Sequence, residues 1–245
     1  MQNTWFKNWF NSPYYHLLYK NRDRAEAAAF IDKLVQYENP AANSLMLDIA
    51  CGKGRHARQL AAKGFDVTGI DLSVESIEAA NQFATDNLHF YRHDMRLLFW
   101  INYFDYAFNL FTSFGYFRTQ REHDDAMRCM SKALKKNGIL IIDYLNMHYA
   151  EDRLVAHTEK ETEGIHFSVD KWYDDHYFFK KITVTDPSEP GPMEFTEKVA
   201  KFSLGDFTEM LSYQGLQIQE VFGNYELGSY DIRKSPRLLI RAKKI

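Results

Sequence analysis

The sequence predicts an α/β protein built on a mostly parallel sheet, and three features of its 245 residues predict it. The first is the stretch LMLDIACGKGRHARQL, from Leu45 to Leu60. Leu45-Met46-Leu47 is an apolar run bounded by turn residues and too short for a helix, which is the pattern of a buried parallel strand. Asp48 closes the strand and Gly52-Lys53-Gly54 makes a turn. A helical pattern from Arg55 to Lys63 then stops at Gly64, a residue that readily takes the left-handed helix-ending conformation. The second feature is repetition: two more short strands end in an acid, at Asp71 and Asp94. The third is element order: five parallel-type strands in all, then a helix and a final strand pair.

Strand, acid, glycine turn and helix form the opening unit of a nucleotide-binding sheet. Gly52 and Gly54 lack Cβ atoms, so the backbone turns sharply and a ligand approaches closely. Gly52-x-Gly54-x-x-Ala57 also fits the dinucleotide pattern, and Asp48 separates the two readings. A dinucleotide lays a doubly anionic diphosphate against the turn and the helix N-terminus, where a neighbouring carboxylate repels it. A phosphate-free nucleoside carrying an ammonium and a sulfonium suits that carboxylate. At these residues the chain resembles the class I S-adenosylmethionine-dependent methyltransferases, whose first motif is a strand ending in D/E-x-G-x-G-x-G. Here the motif reads Asp48-Ile49-Ala50-Cys51-Gly52-Lys53-Gly54, with Ala50 at the first glycine. The resemblance implies a Rossmann-like seven-stranded sheet, mostly parallel with the last strand antiparallel and helices on both faces. It also implies S-adenosylmethionine as methyl donor and S-adenosylhomocysteine as product.

Composition narrows the field. Hydrophobic residues make up 45% of the chain, ample for one core, and aromatics are frequent, with 15 Tyr and 19 Phe. A net charge of −3 gives no basic field that would favour nucleic acid or an acidic membrane. Cys51 and Cys129, one in the ligand loop and one in a helical pattern, point to free thiols and a reducing, cytoplasmic setting. No apolar run approaches a membrane span, and the opening MQNTWFKNWFNSPYY has no apolar core of a signal peptide.

Residues 1–44 read as an N-terminal helical cap. Trp5, Phe6, Trp9 and Phe10 have helical spacing, and Pro13 breaks the run. A helix starting at Asp23 carries an apolar stripe through Ala27, Phe30, Ile31, Leu34 and Val35 and ends at Asn39-Pro40. In the resembling family such helices cover the donor pocket. The plainer reading is that the aromatics pack the cap onto the sheet. Tyr14, Tyr19 and Arg22 bear hydroxyls and a guanidinium suited to a carboxylate, and the donor's methionine end has one.

Residues 45–146 read as the donor-binding core. Phe65 to Ile70 alternates and ends in Asp71, 17 positions past Gly54, where one carboxylate can accept from both hydroxyls of a ribose. The alternative is a helix-terminal acid, although Ser73 is the better cap for the helix predicted over Val74 to Asp86. Leu72 lies beside Asp71 in the cofactor set. Leu88 to His93 is a third strand, followed by Asp94-Met95; the resemblance gives Asp94 the adenine amino group and Met95 the ring face. Three acids at the carboxyl ends of successive strands converge on one crevice. His89 and His93 are four apart without a third ligand, so no metal site is expected. Tyr103 to Phe111 is a fourth strand, and Thr112-Ser113-Phe114-Gly115-Tyr116 follows it. The resemblance places this junction between the donor methyl and the acceptor, where ring faces such as Phe111 attract a cation; a plain loop of buried aromatics is the alternative. Thr119-x-x-Glu122 is a capping box for a helix ending near Asn137-Gly138. Ile139 to Tyr144 is a buried fifth strand, with Asp143 structural or at its rim.

Residues 147–202 read as an inserted antiparallel ribbon of about three strands, over Ile165 to Tyr173, His176 to Thr185 and Glu194 to Phe202. It is a substrate wall or a dimer contact. Residues 203–245 close the core: Ser203-x-x-Asp206 caps a helix that stops at Gly215, and Leu216 to Val221 pairs with Arg237 to Ala242 across a polar loop.

The expected activity is methyl transfer from S-adenosylmethionine to an N, O or C nucleophile of a small molecule. Neither a nucleic acid nor a membrane is an expected partner, and the chain is a monomer or homodimer. The cofactor set is Asp48, Ala50, Gly52, Gly54, Asp71, Leu72, Asp94, Met95, Phe111, Tyr19 and Arg22. No catalytic residue is fixed; Tyr14, Tyr15, His16 and Tyr116 are candidates for a proton acceptor or substrate contact. Two rival readings are an NAD-dependent oxidoreductase on a similar topology and a non-catalytic subunit that keeps the fold.

Overall fold

The computed structural model describes residues 5–19 and 24–245. Two short helices open it, α1 (Trp5–Phe10) and α2 (Pro13–Leu18), followed by α3 (Arg24–Glu38). Pro13 starts α2 rather than only ending α1: the Ser12 side chain accepts from Tyr14 N–H, and proline at the first helical position forfeits no needed donor.

The core then alternates β1 (Leu45–Ile49), α4 (Arg55–Ala62), β2 (Asp66–Asp71), α5 (Val74–Asn81), β3 (Leu88–Arg92), β4 (Phe104–Asn109), α6 (Gln120–Ala133) and β5 (Leu134–Leu145). Next come α7 (Met147–Asp152), the strands β6 (His157–Thr162), β7 (Ile165–Tyr173), β8 (Tyr177–Thr185) and β9 (Met193–Ala200), then α8 (Leu204–Tyr213), β10 (Leu216–Phe222) and β11 (Arg237–Lys244). Seven strands form one sheet in the order β10-β11-β5-β4-β1-β2-β3. All neighbours from β5 to β3 run parallel, and β11 runs antiparallel to both β5 and β10. This is the predicted sheet, with the last strand slotted inside the edge strand β10.

Two apolar layers cover the sheet. Leu47, Ile49, Leu140 and Ile142 face α6 and α8, while Met46, Val67, Phe108 and Ile141 face α3, α4 and α5. The period-two alternation along each strand divides them. Both capping boxes form, at Thr119 with Glu122 and at Ser203 with Asp206.

The inserted ribbon has four strands, in the order β6-β7-β8-β9, not three. β6 reads HTEKET, a polar edge strand without apolar alternation. Its sign in the sequence is Glu163-Gly164, both in the left-handed region (φ 55° and 78°), as a tight two-residue hairpin turn requires. One face of this second sheet buries Phe167, Val169, Ile182 and Val184 against Trp9 and Leu18 of α1 and α2. Among the described residues no helix is long and apolar enough to cross a membrane.

Candidate active site

The crevice lies at the carboxyl ends of β1, β2 and β3, as the topology of parallel sheets requires. A cavity of about 740 Å³ opens there, and Asp48, Asp71 and Asp94 all line it. Their surroundings differ. Asp48 is 1% exposed, and its Oδ2 accepts from Ala57 N–H at 3.2 Å, in the first turn of α4. Burial pushes its carboxyl up to about 7 against that hydrogen bond, and the neighbouring Asp71 adds to the rise. An isolated buried carboxylate of this kind favours a cation beside it.

Asp71 is held at both oxygens. Oδ2 accepts from Gly52 N–H at 2.9 Å and Oδ1 from Ser73 N–H at 2.8 Å. Each oxygen keeps a further lone pair, so the carboxylate is set to accept from two vicinal hydroxyls. Burial raises its pKa, partly offset by these backbone donors. Asp94 is gripped by Arg96, whose Nη2 reaches Oδ2 at 2.6 Å and whose Nε reaches Oδ1 at 3.0 Å. Arg96 also holds Glu122 at 2.7 Å, tying the site to the start of α6. Most of the acceptor capacity of Asp94 is therefore spent inside the chain.

The glycine turn supplies the most telling geometry. Ala50 sits in the left-handed region at φ 61°, where its Cβ is strained and the glycine of the family motif would not be. Gly52 lines the cavity with open space where a Cβ would stand. Gly54 does not line the cavity. A Cβ there would meet the Phe90 ring at 2.5 Å, so this glycine serves the close contact of α4 with β3 instead of ligand approach.

Of the remaining predicted residues, Leu72, Met95, Phe111, Tyr19, His16 and Tyr116 line the cavity. Tyr14 does not: its hydroxyl donates to Asp186 at 2.9 Å, fastening α2 to the loop after β8, and burial with that bond pushes the phenol up to about 12. Arg22 lies outside the described residues. Tyr15, the further candidate beside His16, also lines the cavity.

A second set of residues carries no motif in the sequence. Asp143, expected to be structural or at the rim, is fully buried and accepts from Phe111 N–H at 2.8 Å, Tyr225 OH at 3.0 Å and Arg237 Nε at 2.7 Å. Arg237 also donates to Thr112 Oγ1 at 2.9 Å. This network holds Phe111 and Thr112, two successive residues at φ 57°. Strain of that kind gathers at ligand sites. The Phe111 ring then stacks between His56, at 5.0 Å, and Tyr225, at 5.4 Å, with the Arg55 guanidinium 4.6 Å away. Tyr225 comes from the polar loop before the last strand, far from any motif, and no local pattern marks it. The second sheet contributes Lys171, Phe178, Phe179, Lys180, Glu197 and Val199 to the lining.

These residues fit a phosphate-free cationic nucleoside. Gly52 N–H, the amide of the glycine turn that faces the cavity, is already taken by Asp71, and Asp48 adds a second carboxylate beside it. Among the described residues no group of three or more His, Cys, Asp or Glu is placed to hold a metal ion.

Comparison with known proteins agrees with this geometry. A family model described as a methyltransferase domain matches residues 41–187, more than half of the chain. The dTDP-3-amino-3,4,6-trideoxy-alpha-D-glucopyranose N,N-dimethyltransferase of Streptomyces venezuelae is 31% identical over 132 residues, covering 53% of this chain and 54% of that protein. The chain spans about half the length of the curated relatives it matches. Among solved structures, an S-adenosylmethionine-dependent methyltransferase from Clostridium acetobutylicum superposes with a TM-score of 0.78 at 19% identity, over 94% of this chain and 96% of that one. The sugar N-methyltransferase KedS8 from a Streptoalloteichus species gives 0.73 at 23% identity, over 94% and 92%. At these identities the likeness is one of fold. By its family model, its sheet order and its acid-tipped crevice, the chain belongs to the methyltransferase-domain family and has the fold of the class I S-adenosylmethionine-dependent methyltransferases.

Proposed function

We propose that the protein binds S-adenosylmethionine in the acid-tipped crevice and methylates an amine of a sugar-like small molecule in the space between the crevice and the second sheet. The observation that carries the donor half is the placing of Asp48 and Asp71 on the cavity beside the glycine turn, with Gly52 N–H already donating to Asp71. The turn therefore presents carboxylates to the cavity where a dinucleotide lays its diphosphate. The acceptor half draws support from the relatives, whose names describe N-methylation of amino sugars.

When bound, the donor supplies a sulfonium-activated methyl group open to direct displacement by a nucleophile. The chain's part is to bind, orient and exclude water. Asp71 takes the ribose hydroxyls, Asp48 takes the ammonium, and Leu72 and Met95 provide apolar contact for the base. Phe111, held at its N–H by Asp143 and with its ring stacked on His56 and Tyr225, forms part of the cavity wall.

His16 is the residue best suited to steer an amine. It lines the cavity from α2, and its Nε2 is buried with no hydrogen-bond partner among the described residues. Burial, then the charge of Lys53, pulls its pKa down to about 4. It is therefore neutral at working pH and accepts a hydrogen bond from an N–H, aiming the nitrogen lone pair, without storing the released proton.

The test is incubation with S-adenosylmethionine and a panel of amino sugars, free and nucleotide-linked. S-adenosylhomocysteine release and methylated product are followed by mass spectrometry. Product from an amino sugar and none from its deaminated analogue is the expected result. Turnover only with non-sugar acceptors would remove the sugar assignment.

A further inference from the structure

We infer that the second sheet carries a built anion subsite, formed by Lys171 and Lys180, that holds a phosphate or carboxylate group of the acceptor; this rests on the methyl-transfer reading above. Across β7, β8 and β9 the inward face of this sheet has apolar rows interrupted by one charged row. Val169, Ile182 and Phe195 pair across β7, β8 and β9, and so do Tyr173, Phe178 and Val199. Between these two rows, on the same face, stand Lys171, Lys180 and Glu197. All three line the cavity.

Two lysines directly opposite each other on neighbouring strands repel and weaken a sheet. Placing them on a partly buried face adds a desolvation cost. Glu197 compensates only one of them. Its Oε1 accepts from Trp9 Nε1–H at 2.6 Å and from Tyr19 OH at 2.8 Å, and its Oε2 lies 3.9 Å from the Lys180 ammonium. Lys180 also donates to the Tyr19 hydroxyl and lies over its ring. The Lys171 ammonium has no carboxylate within ion-pair distance among the described residues. The row therefore carries one positive charge in excess and lines the cavity. An anionic group at the two ammonium heads removes the repulsion and supplies charge-assisted hydrogen bonds.

The carboxylates at the sheet tips take the cationic donor, and the lysine row takes the anionic end of the acceptor. An acceptor with both an amine and an anionic group is thereby oriented lengthwise, amine toward the donor.

The test uses the full chain saturated with S-adenosylhomocysteine, titrated calorimetrically with inorganic phosphate and, separately, acetate. Lys171 is the residue to change, because Lys180 is bonded into the Tyr19 and Glu197 cluster. Lys171→Gln is expected to weaken anion binding at least about tenfold, the loss of one charged hydrogen bond, and Lys171→Arg to restore it. S-adenosylhomocysteine affinity should be equal in all three proteins. Stronger binding of phosphate assigns a phosphoryl acceptor, and stronger binding of acetate a carboxylate one. No anion binding to the wild type, equal binding to Lys171→Gln, or displacement of S-adenosylhomocysteine by the anion would overturn the subsite. Failure of the wild type to bind S-adenosylhomocysteine at all would instead overturn the methyl-transfer reading.

Discussion

Asp48 is a buried carboxyl whose cost to stability depends on pH. Burial raises its carboxyl to about 7, whereas in the unfolded chain it titrates near 3.8. Between those values the folded state holds the proton and the unfolded state does not, so stability from this group falls as pH rises and is lost above about 7. Asp48→Asn keeps an acceptor for Ala57 N–H and removes the buried charge. It should raise stability at pH 8 by up to about 4 kcal/mol, with no gain below pH 4. Denaturant unfolding at several pH values reads this directly. The same variant should lose donor affinity, and in the wild type that affinity should climb as pH rises through about 7, because a bound ammonium favours the ionised carboxylate.

Ala50 offers a test without a charge. At φ 61° its Cβ costs energy that glycine avoids. The larger freedom of glycine in the unfolded chain offsets part of the relief. Ala50→Gly is expected to stabilise by about 0.5–1 kcal/mol, measured as a shift in the denaturant midpoint. A loss of stability would mean the turn is not strained as described.

The elements reveal what the sequence can and cannot say. β1 with Asp48, β2 with Asp71 and β3 followed by Asp94 were legible because each is a local word: an apolar run and an acid. Their convergence followed from the topology of parallel strands. Tyr225, Arg237 and the hub role of Asp143 were not legible, because their partners lie 82 and 94 positions apart and no periodicity relates them. β6 escaped because an edge strand needs no apolar alternation, and Pro13 read as a break because proline both ends one helix and begins the next. Gly54 carried the right motif for a different reason, its contact with Phe90. The Asp143 hub is testable as a unit. Removing one partner of a buried ion pair strands the other, so Asp143→Ala should cost about 3–5 kcal/mol. A loss below about 1 kcal/mol would show that Arg237 finds another partner.

At the scale of the molecule, the two sheets line one cavity. The seven-stranded sheet supplies carboxylates, and the ribbon supplies lysines and aromatics. The inserted ribbon lines the cavity, which leaves room for an acceptor and gives no support to a subunit whose substrate space is blocked. Trp9 joins the helical cap to this wall: it is fully buried, packs on Phe195 at 4.8 Å and donates to Glu197. Trp9→Ala should lower stability by about 3–5 kcal/mol and raise the acceptor KM more than the donor KM.

On the proposed reading the crevice takes a cationic nucleoside without phosphate, gripped through its ribose by Asp71. Isothermal titration of the wild type and Asp71→Ala with S-adenosylmethionine and with NAD tests it most directly. S-adenosylmethionine should bind the wild type and bind Asp71→Ala more weakly by about 2 kcal/mol, and NAD should bind neither protein. Tight NAD binding, or an unchanged S-adenosylmethionine dissociation constant in the variant, would contradict it.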